Sequence, residues 1–303
     1  MNGETLFGWP TAAGHPHGHC IEVIGVPSDS GNGFAAGARL GPGAIRRASL
    51  ASHPGAGGVD HGDIGHVHGC DWEDVLEHVE VGIEAIVRRG SRPIVLGGDH
   101  AISYAAVAAL RQYRPLNIIW FDAHTDFCTW SNESWHNHKQ VLRRIASLKH
   151  VGRIVQIGHR GITYFDEASR FDRVKVVTAG AAQRSSGETI LEPLPADEPI
   201  YMSIDIDAVD PRWAPGTGHP VPGGLTVARL SRLACDIACQ RNIVGLDMME
   251  VNPLLDHRGM TSAAAAAILA QVVPLLILPH GAAGFGIDES AAVRHPQPRT
   301  ILA

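Results

Sequence analysis

Three residues with metal-binding side chains occupy alternate positions directly after an apolar run. The run covers residues 118–121, and Asp122, His124 and Asp126 follow it. Because successive side chains of an extended chain point to opposite faces, these three share one face and can converge on one point. A continuous apolar run is typical of a strand buried on both faces, as in parallel sheets, where ligands bind beyond the carboxyl ends of the strands. The sequence therefore predicts a binding site at the end of this strand.

Two further apolar runs end in side chains of the same kind. Residues 199–206 lead to Asp205 and Asp207, and residues 93–96 lead to the sequence GGDH, which ends at His100. If the three strand ends are neighbours, four carboxylates and two imidazoles meet in a small volume. Carboxylates about 4 Å apart repel each other by roughly 4 kcal/mol per pair at an effective dielectric constant near 20. Two divalent cations would balance the four negative charges, so the pattern favours a two-metal centre over a single ion.

Apolar runs and amphipathic segments alternate along most of the chain. Strands are predicted at residues 21–26, 93–96, 117–122, 153–158, 199–206 and 243–249. Helices are predicted from Pro42 and at residues 71–89, 101–112, 138–148, 226–240 and 261–278. Residues 59–68 predict only a strand followed by a loop. The alternation indicates βαβ units, and therefore an α/β fold whose parallel sheet is covered by helices on both faces.

No internal repeat, charge run or low-complexity linker marks a domain boundary within the 303 residues. We therefore expect a single α/β domain over residues 19–303, preceded by an irregular N-terminal arm over residues 1–18. The arm contains closely spaced histidines, which in a glycine- and proline-rich terminus are more typical of a solvated tail than of a metal site.

Composition narrows the class of partner and the compartment. The formal net charge of −6 leaves no basic surplus for nucleic acid or an anionic membrane surface, so a small-molecule substrate is expected. Five cysteines without paired spacing favour a reducing compartment. The N-terminus has no signal-peptide pattern, and the longest apolar stretch, residues 263–278, is interrupted by Gln271 and Pro274 and is shorter than a membrane span. We expect a cytoplasmic protein that spans no membrane.

Several longer motifs follow one another along the chain. They are GVPSDSG at 25–31, GARLGPGAIR at 37–46, GGDH at 97–100, DAHTD at 122–126, SIDIDAVDP at 203–211, APGTG at 214–218, GGLT at 223–226 and GLDMMEVNP at 245–253. In kind and order they resemble the ureohydrolase family, that of arginase and agmatinase, whose members hydrolyse guanidino groups to urea and an amine. The resemblance implies a three-layer α/β/α sandwich on a parallel sheet of about eight strands. It also implies a homo-oligomer, usually a trimer or hexamer.

The same resemblance implies a dinuclear manganese centre whose bridging hydroxide attacks the substrate. One metal would be bound by His100, Asp122, Asp126 and Asp205, and the other by Asp122, His124, Asp205 and Asp207. Asp122 and Asp205 would bridge the ions. Oxygen ligands with one imidazole per ion suit Mn²⁺, and Ni²⁺ is also compatible with them. Asp126 would orient the hydroxide, and Glu250 would pair with the planar guanidinium of the substrate.

The sequence departs from the family pattern after DAHTD. Agmatinase-like members carry Ser-His-Gly there with an arginine pair five residues beyond the histidine, and this chain has the arginine pair but reads Asn-His-Lys around His138. His138 is therefore expected to be the proton shuttle to the leaving amine, with His136 as the alternative. In the same loop Trp130, Trp135 and His136 are expected to contact the substrate, the two tryptophans through their ring faces toward its cation.

Two further departures concern the choice of substrate. His219 stands where a threonine is common, at the expected rim of the pocket, and is predicted to contact the substrate. Residues 127–131 do not reproduce the arginase pattern that holds an amino acid head group. Arginine is therefore expected to be a poor substrate, and agmatine or a guanidino acid a better one.

Other activities remain open on the sequence. Hydrolysis of a formimino group, as by formimidoylglutamase, and hydrolysis of free or N-alkylated guanidine are the alternatives among enzymes. From a different class, the chain could be a non-catalytic partner in a mixed oligomer. The complete set of metal-type ligands argues against that role, because clustered carboxylates are costly to keep without a metal.

Overall fold

Eight parallel strands form one sheet among the residues described by the computed structural model, which are 4–11, 21–31, 35–55, 57–64, 72–128, 137–161 and 171–277. The strands are β1 Ile21–Val26, β2 Gly58–Asp63, β3 Arg92–Gly97, β4 Leu116–Phe121, β5 Val151–His159, β6 Val174–Thr178, β7 Ile200–Asp205 and β8 Ile243–Met249. Their order across the sheet is β2-β1-β3-β8-β7-β4-β5-β6, and every neighbouring pair is parallel. The expected eight-stranded parallel sheet is thereby confirmed.

The strands predicted from apolar runs all occur, with bounds that differ by at most two residues from the prediction. Strands β2 and β6 lie at the two edges of the sheet. Both edge strands are partly exposed: only the first three residues of β2 are buried, and in β6 only Val174 and Val177 are. Their sequences therefore lack the continuous apolar run that identified the central strands.

The helices are α1 Gly41–Ser49, α2 Trp72–Arg88, α3 Ser103–Ala108, α4 Val141–Ala146, α5 Ala179–Ala182, α6 Gly187–Leu191, α7 Val227–Gln240 and α8 Met260–Val272. Pro42 lies in the first turn of α1, and the side chain of Thr226 caps α7 by accepting a hydrogen bond from Arg229 N. The helix predicted at 101–112 is wrong in length. Its start is a 3₁₀ turn capped by the Asp99 side chain, and residues 109–112 turn toward Pro115 and β4.

Helices cover both faces of the sheet, as the alternation of strands and helices predicts. One apolar cluster joins α2, α3 and α4 to one face, and a second joins α1, α6, α7 and α8 to the other. The helical stretch Met260–Ile277 is long and apolar enough to cross a membrane by length and composition, contrary to the sequence estimate, but 56% of it is buried inside the fold. It packs against α1 and α7, so it behaves as a core helix.

The strand order places four carboxyl ends side by side. Strands β3 and β4 are consecutive in the chain but are not adjacent in the sheet, because β8 and β7 lie between them. Ligands of open parallel sheets bind where the strand order reverses in this way. The strand ends that carry the predicted ligands are therefore neighbours, in the order β3, β8, β7, β4.

Candidate metal centre

Each of these four strand ends supplies at least one polar side chain to a common site. His100 follows β3, Asp122 follows β4, Asp205 ends β7 and Glu250 follows β8. Gly98, just before the β3 ligand, must be glycine because an added Cβ would lie 1.7 Å from the backbone oxygen of Ser28. The tight approach of these two loops lets His100 turn inward, where its side chain is buried.

The first group of side chains, the His100 cluster, surrounds Nδ1 of His100. That nitrogen lies 3.1 Å from Asp205 Oδ2, 3.4 Å from Asp122 Oδ2 and 3.6 Å from Asp126 Oδ2. One ligand atom from each of His100, Asp122 and Asp126 lies within 4.8 Å of the others, which is compact enough to hold one metal ion.

The second group, the His124 cluster, surrounds Nδ1 of His124. This nitrogen lies 2.9 Å from Asp207 Oδ2 and 3.5 Å from Asp122 Oδ1. The three residues again place one ligand atom each within 4.8 Å of one another. The His124 cluster can therefore hold a second ion.

Asp122 belongs to both clusters through different oxygens. Its Oδ2 faces His100 and its Oδ1 faces His124, which is the placement that a bridging carboxylate requires. Asp205 places Oδ2 in the His100 cluster, while its Oδ1 accepts a hydrogen bond from Asp207 N at 2.8 Å. A bridging role for Asp205 stays a prediction.

The alternating spacing of Asp122, His124 and Asp126 predicted that their side chains converge on one point, and this prediction is wrong. Asp126 lies with His100, whereas His124 lies with Asp207. The strand ends at Phe121, and Asp126 has a positive φ of 49°, so the triplet is not an extended segment. The turn after β4 distributes its three side chains over two clusters.

Two residues of the site have a positive φ, a backbone conformation that residues other than glycine rarely adopt. Asp126 has φ 49° and Glu250 has φ 62°. Such conformations cost on the order of 1 to 3 kcal/mol and persist where the surroundings enforce them, often at functional sites. Both carboxylates are also buried.

Two side chains that sequence reasoning missed hold the loops of the site. Gln156 on β5 donates from Nε2 to the backbone oxygens of Asp122 and His124, at 2.8 Å each. The Arg160 guanidinium donates to the backbone oxygens of residues 207, 208 and 209. A glutamine in the middle of an apolar run was the available sequence signal for the first of them.

The electrostatics of the clusters show how the acids and imidazoles balance one another. Burial, reinforced by neighbouring carboxylates, raises the pKa of Asp126, Asp205 and Glu250 well above the usual range. Burial alone would lower the imidazole pKa values, but the neighbouring aspartates raise the pKa of His100 well above its usual value and that of His124 to about 12.

Protons therefore compensate the crowded carboxylates wherever cations do not. Divalent ions can replace these protons, because metal ligands bind in their deprotonated forms. The donor set of carboxylate oxygens and imidazole nitrogens at these short separations fits two such ions.

His138 and His219 lie beside the His124 cluster. The His138 ring is 5.1 Å from the His219 ring, and the His219 ring is 6.1 Å from that of His124. His138 Nδ1 lies 2.8 Å from the backbone oxygen of Gly31, while its buried Nε2 has no hydrogen-bond partner among the described residues. Burial lowers the pKa of His138 to about 4. Trp130, Trp135 and His136 lie outside the described residues.

Known proteins are similar to this chain in sequence and in fold. A model described as the Arginase family matches residues 19–274. The chain is 33% identical to proclavaminate amidinohydrolase of Streptomyces clavuligerus, covering 85% of this chain and 88% of that protein. The solved structure of that enzyme has a TM-score of 0.83 at 32% identity and covers 91% of this chain and 98% of its own.

Two further relatives differ in the substrates that their names give. Guanidino acid hydrolase of Homo sapiens is 34% identical, with 85% of this chain and 78% of that protein covered. Agmatinase of Klebsiella pneumoniae is 32% identical, with 83% of this chain and 85% of that protein covered.

The shared position of Asp122 predicts how single substitutions change the metal content. We expect Asp122→Ala to lose both ions, because each cluster loses a ligand, and Asp207→Ala to lose only the ion of the His124 cluster. Asp210→Ala is the matched control, since this buried aspartate caps the backbone of residues 212, 223 and 224 outside both clusters. Elemental analysis after dialysis in Mn²⁺ measures the content. Equal metal loss in all three variants would contradict the bridging placement.

The neutral state of the half-buried His138 predicts a pH dependence of stability. Its pKa is about 4 in the folded chain and about 6.5 in an unfolded one. Between these values the unfolded chain binds a proton that the folded chain does not, so the free energy of unfolding falls as the pH falls. On acidification we expect the free energy of unfolding of His138→Asn to fall by about 2 kcal/mol less than that of the parent chain. This value includes a discount for the partial exposure of the ring. Urea unfolding of both metal-free proteins at neutral and acidic pH measures it, and equal losses would contradict the neutral state.

Proposed function

The chain belongs to the arginase family, and from that premise we propose that it is a dinuclear metal-dependent hydrolase of a small guanidino compound. The reaction adds water to the guanidino carbon and releases urea and an amine. One observation carries the proposal: two groups of metal-type ligands share Asp122 through its separate oxygens. A single ion would leave one of the two groups without a cation.

We assign the six residues named from the motifs as ligands and Mn²⁺ as the metal. The ligands are His100, Asp122, Asp126, Asp205, Asp207 and His124. Hard carboxylate oxygens with few imidazoles suit Mn²⁺, and Ni²⁺ is the alternative that the same donors accept. When bound, two such ions lower the pKa of a water and make a hydroxide nucleophile available near neutral pH.

The substrate guanidinium is assigned to Glu250. Glu250 directly follows β8, which lies between β3 and β7 in the sheet, and its Oε1 accepts a hydrogen bond from His100 N at 2.9 Å. A carboxylate held in this position can accept two parallel hydrogen bonds from a planar guanidinium, which orients the reacting carbon. Asp126, in the adjacent cluster, is assigned to orient the attacking water.

His138 is assigned to move the proton. Because its Nδ1 lies against the Gly31 carbonyl, Nδ1 carries the ring hydrogen and Nε2 keeps its lone pair. A neutral imidazole in this tautomer can take a proton from the attacking water at Nε2 and pass it to the leaving amine. His136 remains the alternative shuttle.

We propose that the substrate lacks an α-amino acid head group. Phe127 and Cys128, the first residues of the loop that would hold such a group, are buried, and Phe127 packs on Phe171 in the core. The names of the relatives reported above, with proclavaminate, a guanidino acid and agmatine as substrates, support the same class. Trp130, Trp135 and His219 are assigned as substrate contacts around the rim.

The remaining assignments follow from the family and the composition. We propose a homo-oligomer, trimeric or hexameric, that works in the cytoplasm. The net charge of −6 supports a small molecule rather than nucleic acid as the partner.

The proposed substrate class predicts an order of specificity. Arginine carries charged α-amino and α-carboxylate groups, and each polar group left without a partner costs about 1 to 3 kcal/mol, or roughly 5- to 150-fold. We expect kcat/KM for arginine to lie at least roughly tenfold below the values for 4-guanidinobutyrate and agmatine. Urea release with saturating Mn²⁺, repeated with Ni²⁺, measures the three constants. Arginine as the best substrate with either metal would contradict the proposal.

A variant of Glu250 separates guanidinium binding from head-group binding in the same assay. Glu250→Gln should lower kcat/KM for every guanidino substrate by roughly 10- to 100-fold, since a charge-assisted hydrogen bond is lost. Glu192→Gln, at an exposed position after α6, is the matched control. A loss confined to one substrate would assign Glu250 to the head group instead.

A further inference from the structure

Residues 4–11, here called the strap, lie along the edge strand β2 and are anchored in the core. Leu6 is fully buried and Trp9 is 8% exposed, and both belong to the apolar cluster that contains side chains of β1 and β3. The Phe7 ring packs edge-on against the Trp9 ring, with centroids 5.3 Å apart. The strap is therefore held by side chains that form part of the domain core.

The backbone of the strap covers the free flank of β2. Because β2 is the edge of the sheet, it pairs with a sheet neighbour, β1, on one flank only. On its other flank Asp60 N donates to Pro10 O at 3.0 Å, and Thr11 is the parallel bridge partner of Asp60. An uncovered edge strand presents unpaired N–H and C=O groups to which another chain can pair. The strap occupies that position at Asp60.

At residues 9 and 10 the strap offers no new edge in place of the one that it covers. Trp9 N donates to Leu6 O at 3.0 Å, and Trp9 O accepts a hydrogen bond from Thr5 Oγ1 at 2.5 Å. Pro10 has no N–H group, and its carbonyl is bound to Asp60. A further strand would therefore find no backbone ladder to extend at these two residues.

A buried carboxylate of β2 binds the backbone of the strap. Asp60 Oδ2 accepts hydrogen bonds from Leu6 N at 2.7 Å and from Arg46 Nε at 2.8 Å, and its Oδ1 accepts one from Arg46 Nη2 at 2.9 Å. Asp60 is fully buried, and the Arg46 guanidinium compensates its charge. On the same helix as Arg46, Ser49 Oγ accepts a hydrogen bond from Phe7 N at 2.8 Å. Strand β2 and helix α1 thus hold the strap together.

A glycine at the start of β2 makes room for the strap. A Cβ at position 58 would lie 2.4 Å from the Trp9 ring and 2.8 Å from Ile21 O. Any larger residue at Gly58 would therefore displace the Trp9 ring or the β1 backbone. The edge strand is shaped to accept this ring.

Exposed charges are placed where the strap does not pair. In β2 the exposed side chains are His61 and Asp63, in the second half of the strand, whereas Asp60 points inward. On the opposite edge strand, β6, Lys175 is exposed. Exposed charged side chains are a common means of keeping edge strands from pairing with other chains. The first half of β2 lacks such a charge, and this is the half that the strap covers.

We propose that the strap guards the first half of β2 against pairing with a second copy of this chain. Without the strap, this half of β2 would be a strand-pairing surface, and the partner that it fits is the same edge of another copy. The inference is independent of the metal centre and of the proposed reaction, because its contacts involve neither ligand cluster.

Two aspartate variants of the full chain separate guarding from general destabilisation. Leu6→Asp should displace the strap, because a buried charge without a partner is costly and undocking residues 4–11 returns it to water. Leu276→Asp is the matched control. It places the same charge at another fully buried leucine of the same apolar cluster, in the 3₁₀ segment that packs on α7 and α8.

Hydrogen exchange and light scattering are measured on the parent and both variants, after circular dichroism has established that each is folded. In dilute Leu6→Asp we expect the Asp60 amide to lose its protection while the amides of β3 keep theirs. As the protein concentration rises, its mass should exceed that of the parent, whereas Leu276→Asp should keep the parent mass. An excess of a synthetic peptide with the sequence of residues 4–11 should restore the parent mass, because it fills the vacated edge.

A milder variant covers the case in which Leu6→Asp does not fold. Trp9→Ala removes the ring that packs over Gly58 without burying a charge, and it should show the same loss of protection and the same association to a smaller extent.

Each other outcome overturns the inference. An exposed Asp60 amide with the parent mass at every concentration would overturn the guarding role. So would equal association of Leu6→Asp and Leu276→Asp, or association that the peptide does not reverse. Rapid exchange of the Asp60 amide in the parent, or retained protection in both strap variants, would show that Leu6 and Trp9 do not hold a cover over this edge.

Discussion

Electrostatic repulsion among four buried aspartates is the constraint on which the rest of the site depends. The strand order brings them together at the ends of β4 and β7, next to His100 at the end of β3. Each pair of carboxylates about 4 Å apart costs roughly 4 kcal/mol at an effective dielectric constant near 20. Protons or cations must cancel that cost, so metal binding is coupled to the stability of the central strands.

The residues beneath the site keep its ligands in place. Gln156 and Arg160 bind backbone oxygens of the two ligand loops, so they fix the turns without competing for the metal. Trp120 stacks on His100 and donates from Nε1 to Asp122 Oδ2 at 2.9 Å. The ligand side chains therefore need little rearrangement to bind cations, which reduces the cost of forming the centre.

The sequence predicted the central sheet and the neighbouring ligands because both depend on patterns local to each strand. Continuous apolar runs marked the buried strands, and the polar residues that end them marked the site. It located β2 only as a strand followed by a loop and did not predict β6, because partial exposure removes the continuous apolar run from both. It also did not predict that the Asp122–Asp126 turn is divided between two clusters, which depends on the positive φ of Asp126. The contact between Ser203 and His100 depends on sheet pairing between distant segments, and only the polar residues within an apolar run hinted at it.

Magnetic coupling between two bound ions tests the shared carboxylate most directly. If Asp122 bridges the two clusters, Mn²⁺-loaded protein should give the low-temperature electron paramagnetic resonance spectrum of an exchange-coupled pair. Asp122→Ala should abolish that spectrum, and the Asp210→Ala control should keep it. A spectrum of isolated Mn²⁺ ions in the fully loaded parent chain would contradict the dinuclear centre.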